Sequence, residues 1–433
     1  MTASAALTWI RLPKPTATPR TIHLNTSSNG GGVSEILNSI TTHANLNDVA
    51  TGWGVLGATK EFFDFTKNLH HLIHGQGSPE RLTSPSETDV YRRTLADVLP
   101  ALLAVLRPTD TVILHDPQTL GLAPALREHV RSVYWQCHIG SMTDSRQVKE
   151  AVWAFFVEDL ATLDGILVAD RAYVSGALAS RVIEICPATW SLSPKNAPLS
   201  RAEIDSRLDE LGLFGAGATS NDAGRLWQTH LLPHEALAVL QVSRWDPLKG
   251  MSNVLRTLEG LDDSIHLVLA GPDPKEVLDD PEGSEQLAET LQVWDGLPAR
   301  VRQRAHVVAL SSRDSVENAL RVNALQRRAD IVTQRSLEEG FGLTVTEAML
   351  KEKPVVASRT GGLAKQIQTG QNGILVDPLD DSAFITSVNA LARDAKLRTH
   401  LGRNAALTAT QRYSLERLVG DYNTLTITTN QRA

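Results

Sequence analysis

Short apolar runs bounded by turn-forming residues recur along the chain and alternate with longer amphipathic stretches. In the first half the runs are Thr21–Leu24, Thr111–His115, Val133–His138 and Gly165–Ala169. Continuous apolar runs of this length predict strands buried on both faces, and the stretches between them predict covering helices. Thr21–Leu24 leads into a glycine-rich turn and a helix from about Val33. Ile183–Pro198 closes the first series, and a charged helical stretch with a loop follows over Arg201–His234. A second series then runs through Leu237–Ser243, His266–Ala270, His306–Leu310, Ile331–Gln334, Lys353–Ser358 and Gly373–Val376. The pattern predicts an α/β fold of two doubly wound domains, with the boundary in 195–235. Ligands of such sheets bind beyond the carboxyl ends of the strands, so a central cleft between the domains is the expected site. The stretch Pro272–Glu289 is acidic and turn-rich and reads as a surface insertion.

The length of 433 residues agrees with two domains, because single cores stop growing near ~250–300 residues. With 42% hydrophobic and 21% charged residues the composition is that of a soluble globular chain. A net charge of −7 argues against nucleic-acid binding, which needs a basic surface, but leaves room for a basic pocket around one nucleotide. The two cysteines, Cys137 and Cys186, form no disulfide framework and no metal-ligand spacing, which fits a reducing cytoplasm. No run approaches the ~20 apolar residues of a membrane span. The proline-rich first twenty residues lack a basic segment followed by an apolar one, and read as a loose leader rather than a signal peptide.

Three segments carry candidate chemistry. In Gln334–Ser358, Glu339 and Glu347 flank a turn containing Gly340 and Gly342, and Leu343–Leu350 reads as a helix. A helix opening on a glycine turn offers free N–H groups and a positive dipole end, which suits a phosphate. Glu347, about one turn in, can accept hydrogen bonds from vicinal hydroxyls such as those of a ribose. Taken singly, either glutamate is more often a helix cap or a solvated side chain; the whole segment favours a ligand site. In Ser243–Gly250 (SRWDPLKG), Arg244 and Lys249 flank a turn after a strand, and two cations there suit a departing diphosphate. A surface salt bridge is the plainer alternative. In Asn25–Ile36, three glycines between a strand and a helix let backbone approach a ligand, although the segment is neither a Walker loop nor GxGxxG. Asp116 in HDPQ and His138 in WQCHIG end strands of the first half. His138 suits a sugar hydroxyl or a proton buffer, although a lone histidine is more often structural.

These segments, with others in the same order, resemble retaining glycosyltransferases of sequence family 4, of the GT-B type with two Rossmann-like domains. The likeness is nearest to the trehalose glycosyltransferring synthases and trehalose phosphorylases. It is carried by GGGVSEIL, EFFDFTKNLHHLIHG, HDPQ, WQCHI, LSPKN, SRWDPLKG, AGPD with DDPEG, VNALQRRAD, QRS, EGFGLTVTEAML and NGILVDP. The resemblance implies a leader over 1–20, an acceptor domain over 21–215, a nucleotide-sugar domain over 216–410 and a terminal helix over 411–433 crossing back to the first domain. It implies that Arg244 and Lys249 contact the donor diphosphate and that Glu347 holds the ribose. Glu339, with the amides of Phe341, Gly342 and Leu343, would hold the transferred sugar and its phosphate. His138 would face the donor sugar, Gly31 and Gly32 would lie in a loop closing on the phosphates, and Asp116 and Asn323 would join the binding set. A nucleotide sugar and a small hydroxylated acceptor are the implied partners, with no metal or other cofactor, and a homodimer is compatible.

Several positions depart from the family pattern. Gln136 and Gly140 stand where WRCHID has Arg and Asp. Thr189, Trp190 and Ser191 replace the residues before LSPKN in AIDPLSPKN, and Glu338 stands where a basic residue is common. On an acceptor-side reading, the changes at 136, 140 and 189–191 remove polar groups for a hydroxyl-rich acceptor. They put free glucose in question and open an altered sugar or a cyclitol-like acceptor, as in natural-product (aminosugar or cyclitol) glycosyl transfer. Phosphorolysis of a trehalose-type disaccharide, a non-enzymatic binding protein and a sugar epimerase are the alternatives.

Overall fold

Strands of aliphatic and β-branched residues, most of them buried on both faces, build two seven-stranded sheets among the described residues. In this computed structural model those are residues 6–12, 15, 19–28, 32–46, 50–75, 77–140, 146–174, 176–215, 223–276 and 281–428. The first sheet comprises β1 (Ala6–Arg11), β2 (Thr21–Asn25), β3 (Thr51–Gly57), β4 (Thr111–His115), β5 (Ser132–Cys137), β6 (Gly165–Val168) and β7 (Val182–Glu184). Its order is β1-β3-β2-β4-β5-β6-β7, with β1 antiparallel to β3 and the other pairs parallel. The second comprises β8 (Gly224–Trp227), β9 (Leu237–Val242), β10 (Ile265–Pro272), β11 (Ala305–Leu310), β12 (Ile331–Gln334), β13 (Val355–Ser358) and β14 (Ile374–Val376). Its order is β14-β13-β12-β9-β10-β11-β8, with only β8 antiparallel among these strands.

Strand order reverses between β2 and β4 in the first sheet and between β9 and β12 in the second. At such a switch point the loops leaving neighbouring carboxyl ends turn to opposite faces and open a crevice. The segments that emerge there are Thr26–Ser28 and HDPQ in one sheet, and SRWDPLKG and QRS–EGFG in the other.

The chain packs as two units, Met1–Ala188 with Leu415–Ala433, and Thr189–Ser414. In the first unit, the helix Leu415–Thr428 returns to the sheet: the Tyr422 hydroxyl donates to Gln136 Oε1, and Arg417 donates to the carbonyls of Cys186 and Pro187. The second unit begins earlier than position 216, because the helix Arg201–Glu210 buries Ile204 and Leu208 in that unit's core. Ser200 and Glu203 close a capping box at its start, and Arg207 pairs with Glu317 at 2.7 Å. Two cores sandwich the second sheet, and alternate strand residues face each: Val239, Leu267 and Leu269 one way, Leu240, Val268 and Ala270 the other.

Two expectations are corrected. Part of the leader is ordered, since β1 pairs with β3 from Ala6↔Gly57 onward. The stretch 272–289 is no simple insertion: Asp273 is held by Arg225 at 2.7 Å, and the helix Pro281–Gly296 sends Leu287 into the core.

In the first unit, one buried ion pair ties the amino ends of three strands. Asp110 accepts from Arg20 Nε at 2.7 Å, its backbone carbonyl accepts from the amides of Arg131 and Ser132, and the Arg20 carbonyl accepts from Thr111 N. Both side chains are at most 3% exposed. Asp110→Ala leaves the guanidinium buried and unpaired, so the unfolding free energy should fall by about 3–5 kcal/mol in denaturant titrations. A loss below about 1 kcal/mol would show that the pair does not organise this edge.

Candidate functional site

At the carboxyl edge of the second sheet, SRWDPLKG and QRS–EGFG are locked together through backbone contacts. Gly250 has φ +63°, and a Cβ there would lie 2.5 Å from the Arg335 carbonyl oxygen. Buried Gln241 bridges the loops, accepting from Arg335 N at 3.0 Å and donating to the Lys249 carbonyl at 2.8 Å. Leu337 N adds a bond to the Leu248 carbonyl at 2.7 Å. With the backbones fixed, Lys249 Nζ reaches Glu339 Oε2 at 2.9 Å, and Ser336 Oγ donates to the same oxygen at 3.1 Å. Arg244 is largely exposed and touches Asp246 at 3.3 Å, while Trp245 beside it is buried and donates its indole N–H to the Pro272 carbonyl.

The helix Leu343–Leu350 starts at Gly342, which has φ +88° and no side-chain cap. Its first N–H groups therefore lack a side-chain cap and make a ready anion site. The turn is clasped from below by the helix Gly361–Gln366. Gln366 Nε2 donates to the Phe341 carbonyl, and a Cβ on Gly362 would come within 2.4 Å of Phe341 Cα. The Phe341 ring is buried edge-on against Tyr413.

Glu347 lies on the same helix but faces inward, 1% exposed. Lys195 Nζ is 3.6 Å from its Oε1, and Gln326 Nε2 is 3.4 Å from its Oε2. The LSPKN loop is thereby built into the second unit. Asn323 donates to the carbonyls of Pro194 and Ala197 at 2.9 and 2.8 Å and accepts from Arg327 at 2.9 Å. Expected as a binding residue, Asn323 is fully buried, and its amide is committed to this loop. Lys195 had no assigned role in the sequence reading, although it is the one cation in a motif quoted as a narrow marker.

In the first unit, Asp116 follows β4 with φ 60°, unusual for a residue other than glycine. Three bonds hold this conformation: its carboxylate accepts from His138 N at 2.8 Å, and its carbonyl accepts from Trp135 Nε1 at 2.9 Å and Thr119 Oγ1 at 3.4 Å. Burial raises its carboxyl above the usual range, against the opposing pull of His138. His138 is not a lone histidine. His23 Nδ1 lies 2.9 Å from His115 Nε2, and His115 Nδ1 lies 2.8 Å from His138 Nε2. Burial pushes His138 below the ordinary histidine value despite Asp116, so it is a neutral ring near pH 7 rather than a proton buffer. Gly32 begins the helix Gly32–Leu46 and is exposed. Gly31 lies outside the described residues.

The departures from the family pattern have structural counterparts. Gln136 is 2% exposed and accepts the Tyr422 hydroxyl, so it serves the docking of the terminal helix and not an open pocket. At Gly140 a Cβ would lie 2.1 Å from the buried Tyr173 ring, which leaves no room for a side chain there. Thr189, Trp190 and Ser191 belong to the second unit, not to the first, where they were expected. Among the described residues, no helix is long and apolar enough to cross a membrane, and no three His, Cys, Asp or Glu gather to hold a metal.

Residues 23–175 match the family model of the trehalose synthase N-terminal domain, and residues 226–408 match that of group 1 glycosyl transferases. The trehalose synthase of Rubrobacter xylanophilus is 31% identical over 409 residues, covering 93% of this chain and 88% of that one. The trehalose phosphorylase of Pleurotus pulmonarius is 28% identical over 396 residues, covering 85% of this chain and 51% of that one. The fold is shared with a UDP-forming α,α-trehalose-phosphate synthase of Burkholderia xenovorans, solved with glucose-6-phosphate: TM-score 0.70, 14% identity, 94% of this chain and 100% of that one. Fold and sequence together define a glycosyltransferase of the GT-B type. Within that class the chain belongs to the trehalose synthase family.

Gly140→Asp should destabilise the protein by about 1–3 kcal/mol, because the new side chain overlaps a packed ring. Tyr173→Ala in the same chain should recover part of that loss, read as a non-additive double-mutant cycle in thermal or denaturant unfolding. Strict additivity would mean that the two positions do not compete for one space.

Proposed function

We propose that the enzyme transfers a hexosyl group from a nucleotide-diphosphate sugar to a sugar or sugar-like acceptor, with retention of anomeric configuration. The observation that carries this reading is the Lys249–Glu339 pair, 2.9 Å apart, beside the uncapped start of the helix Leu343–Leu350. A cation, a carboxylate and open amides together match a phosphate joined to a polyol. Arg244 and Lys249 stabilise the departing diphosphate, where charge develops most. Glu339 takes hydroxyls of the transferred sugar, and the amides of Phe341, Gly342 and Leu343 take its phosphate. In a front-face displacement the bond from C1 to the phosphate oxygen breaks and the bond to the acceptor oxygen forms on the same face. The leaving phosphate receives the acceptor's proton, so neither a covalent sugar intermediate nor a metal is required of the chain. The aromatic ring at Tyr173, where the family pattern has a carboxylate, supports an acceptor other than free glucose.

Glu347 favours a second reading. A carboxylate meant for ribose hydroxyls is here 1% exposed and held by Lys195 and Gln326. Phosphorolysis of a disaccharide needs no ribose contact, and the likeness to a trehalose phosphorylase points the same way.

Thermal shifts separate the two. A nucleoside diphosphate at 100-fold its dissociation constant adds about 2.7 kcal/mol of stability, and transfer predicts such a rise with UDP, ADP or GDP. Stabilisation by phosphate with trehalose, and by no nucleotide, would leave phosphorolysis. Arg244→Ala and Lys249→Ala should each lower kcat by about 100- to 1000-fold. Wild-type turnover in either variant would remove that residue from the leaving-group role. A third variant, Lys195→Met, should weaken nucleotide binding by roughly tenfold with kcat nearly unchanged, since it loosens Glu347 and touches no reacting atom. An unchanged KM would detach Glu347 from the ribose.

A further inference from the structure

The three histidines of the first unit form one unbranched chain with a closed end and an open end. His23 Nδ1, on β2, meets His115 Nε2 at the end of β4, and His115 Nδ1 meets His138 Nε2 just beyond β5. At the closed end, His23 is fully buried, and its Nε2 has no hydrogen-bond partner among the described residues. At the open end, His138 is only partly buried. The His115 and His138 rings lie nearly parallel, 10° apart.

Counting protons restricts what this chain can do. A neutral imidazole carries one N–H and one lone pair. Three neutral rings joined by two hydrogen bonds have one N–H left over, and it sits at one end or the other. Burial keeps the rings neutral: it takes His23 down to about 3, His115 well below its usual value, and His138 down against the attraction of Asp116. Two arrangements remain, with all three rings protonated at Nε2 or all three at Nδ1. They differ at the open end, where His138 Nδ1 is an acceptor in the first and a donor in the second.

The closed end decides between them. The ring beside His23 is Tyr422, 5.1 Å away and inclined by 71°. The Tyr422 π system is the weak acceptor that this neighbour offers to an N–H on the His23 ring. A lone pair there has no donor, because the Tyr422 hydroxyl donates to Gln136 Oε1. A histidine pair in the second unit shows the contrast. His306 Nε2 meets His266 Nδ1 at 3.0 Å, but His306 Nδ1 faces the Gln228 amide oxygen at 2.8 Å, so an ordinary acceptor fixes the proton order there.

We infer that His23 and His115 are positioning residues that hold His138 as its Nε2–H tautomer, leaving Nδ1 as an acceptor for a substrate hydroxyl. That use of Nδ1 rests on the sugar-transfer reading; the proton order does not. The groups facing the chain are Asp116 at His138 and Tyr422 at His23, with Gln136 bonded to Tyr422.

Ring nitrogen spectra of the full-length protein, labelled with ¹⁵N-histidine, test the order directly, with His138 assigned through His138→Gln. The expected result is a neutral Nε2–H ring at His138 from about pH 7 to 8. His115→Leu should populate both tautomers of His138. Should that variant fail to fold, His23→Leu and His23→Gln replace it. Leucine should mix the tautomers, while glutamine, whose amide oxygen can accept from His115, should keep the wild-type state. An Nδ1–H ring in the wild type, or an unchanged His138 signal in the leucine variants that fold, would overturn the inference. Adding glucose or trehalose should move the Nδ1 resonance upfield, and a stationary resonance with both bound would overturn the hydroxyl role. The spectra need no turnover, so an enzyme inactive with every nucleotide sugar would strike the transfer reading and leave the proton order standing.

Discussion

Between Gly250 and the carbonyl of Arg335 there is no room for a side chain: a Cβ would sit 2.5 Å from the oxygen. This close approach fixes the second unit's functional edge. It brings the loop after β9 against the loop after β12, and buried Gln241 bonds to both. Two cations on one loop and a carboxylate with open amides on the other then share one neighbourhood without relying on long side-chain reach. Preorganised charges of this kind act without rearranging during the reaction, which is where an electrostatic site gains its effect. Gly362 under Phe341 repeats the device one layer below, so the amide-bearing turn rests on backbone.

Much of this edge was legible in the chain. Apolar runs without alternation marked the parallel strands, and the glycines and charges after β9 and β12 marked the loops. The family pattern put Lys249 and Glu339 in one site, but their direct ion pair shows only in the fold. What stayed hidden depends on tertiary partners. β1 is a short edge strand in a proline-rich segment, and only its pairing with β3 reveals it. The helix Arg201–Glu210 is strongly polar, and its few apolar residues do not say which core they enter. The resemblance put Asn323 in the binding set; only its bonds to the LSPKN loop show that its amide is committed inside the unit. The histidine chain needs β2, β4 and β5 aligned side by side, a register that no local pattern encodes.

The substitutions in the first unit change meaning once their neighbours are known. Arginine-to-glutamine at 136 looked like a lost substrate contact. In place, Gln136 receives the hydroxyl of Tyr422 from the far end of the chain. Aspartate-to-glycine at 140 looked like a lost acceptor group, and Tyr173 occupies the volume. One position turned inward to packing, and the other exchanged a charge for a ring. Differences from a family pattern therefore bear on substrate choice only where the replaced atoms faced the substrate.

The first unit is assembled from two stretches of chain, Met1–Ala188 and Leu415–Ala433, with the second unit inserted between them. The second unit is contiguous and can complete its fold during synthesis as soon as Ser414 has emerged. The first must wait for the last residues to appear, because Tyr422 and Arg417 supply partners for Gln136 and for the carbonyls of Cys186 and Pro187. Closing so long a loop costs little more than closing a shorter one, since the entropy grows only logarithmically with length. The consequence is one of order in time. The second unit is finished while the unit carrying His23, His115 and His138 still lacks Tyr422, so a ribosome that stops early releases a chain whose histidine chain has lost its aromatic end.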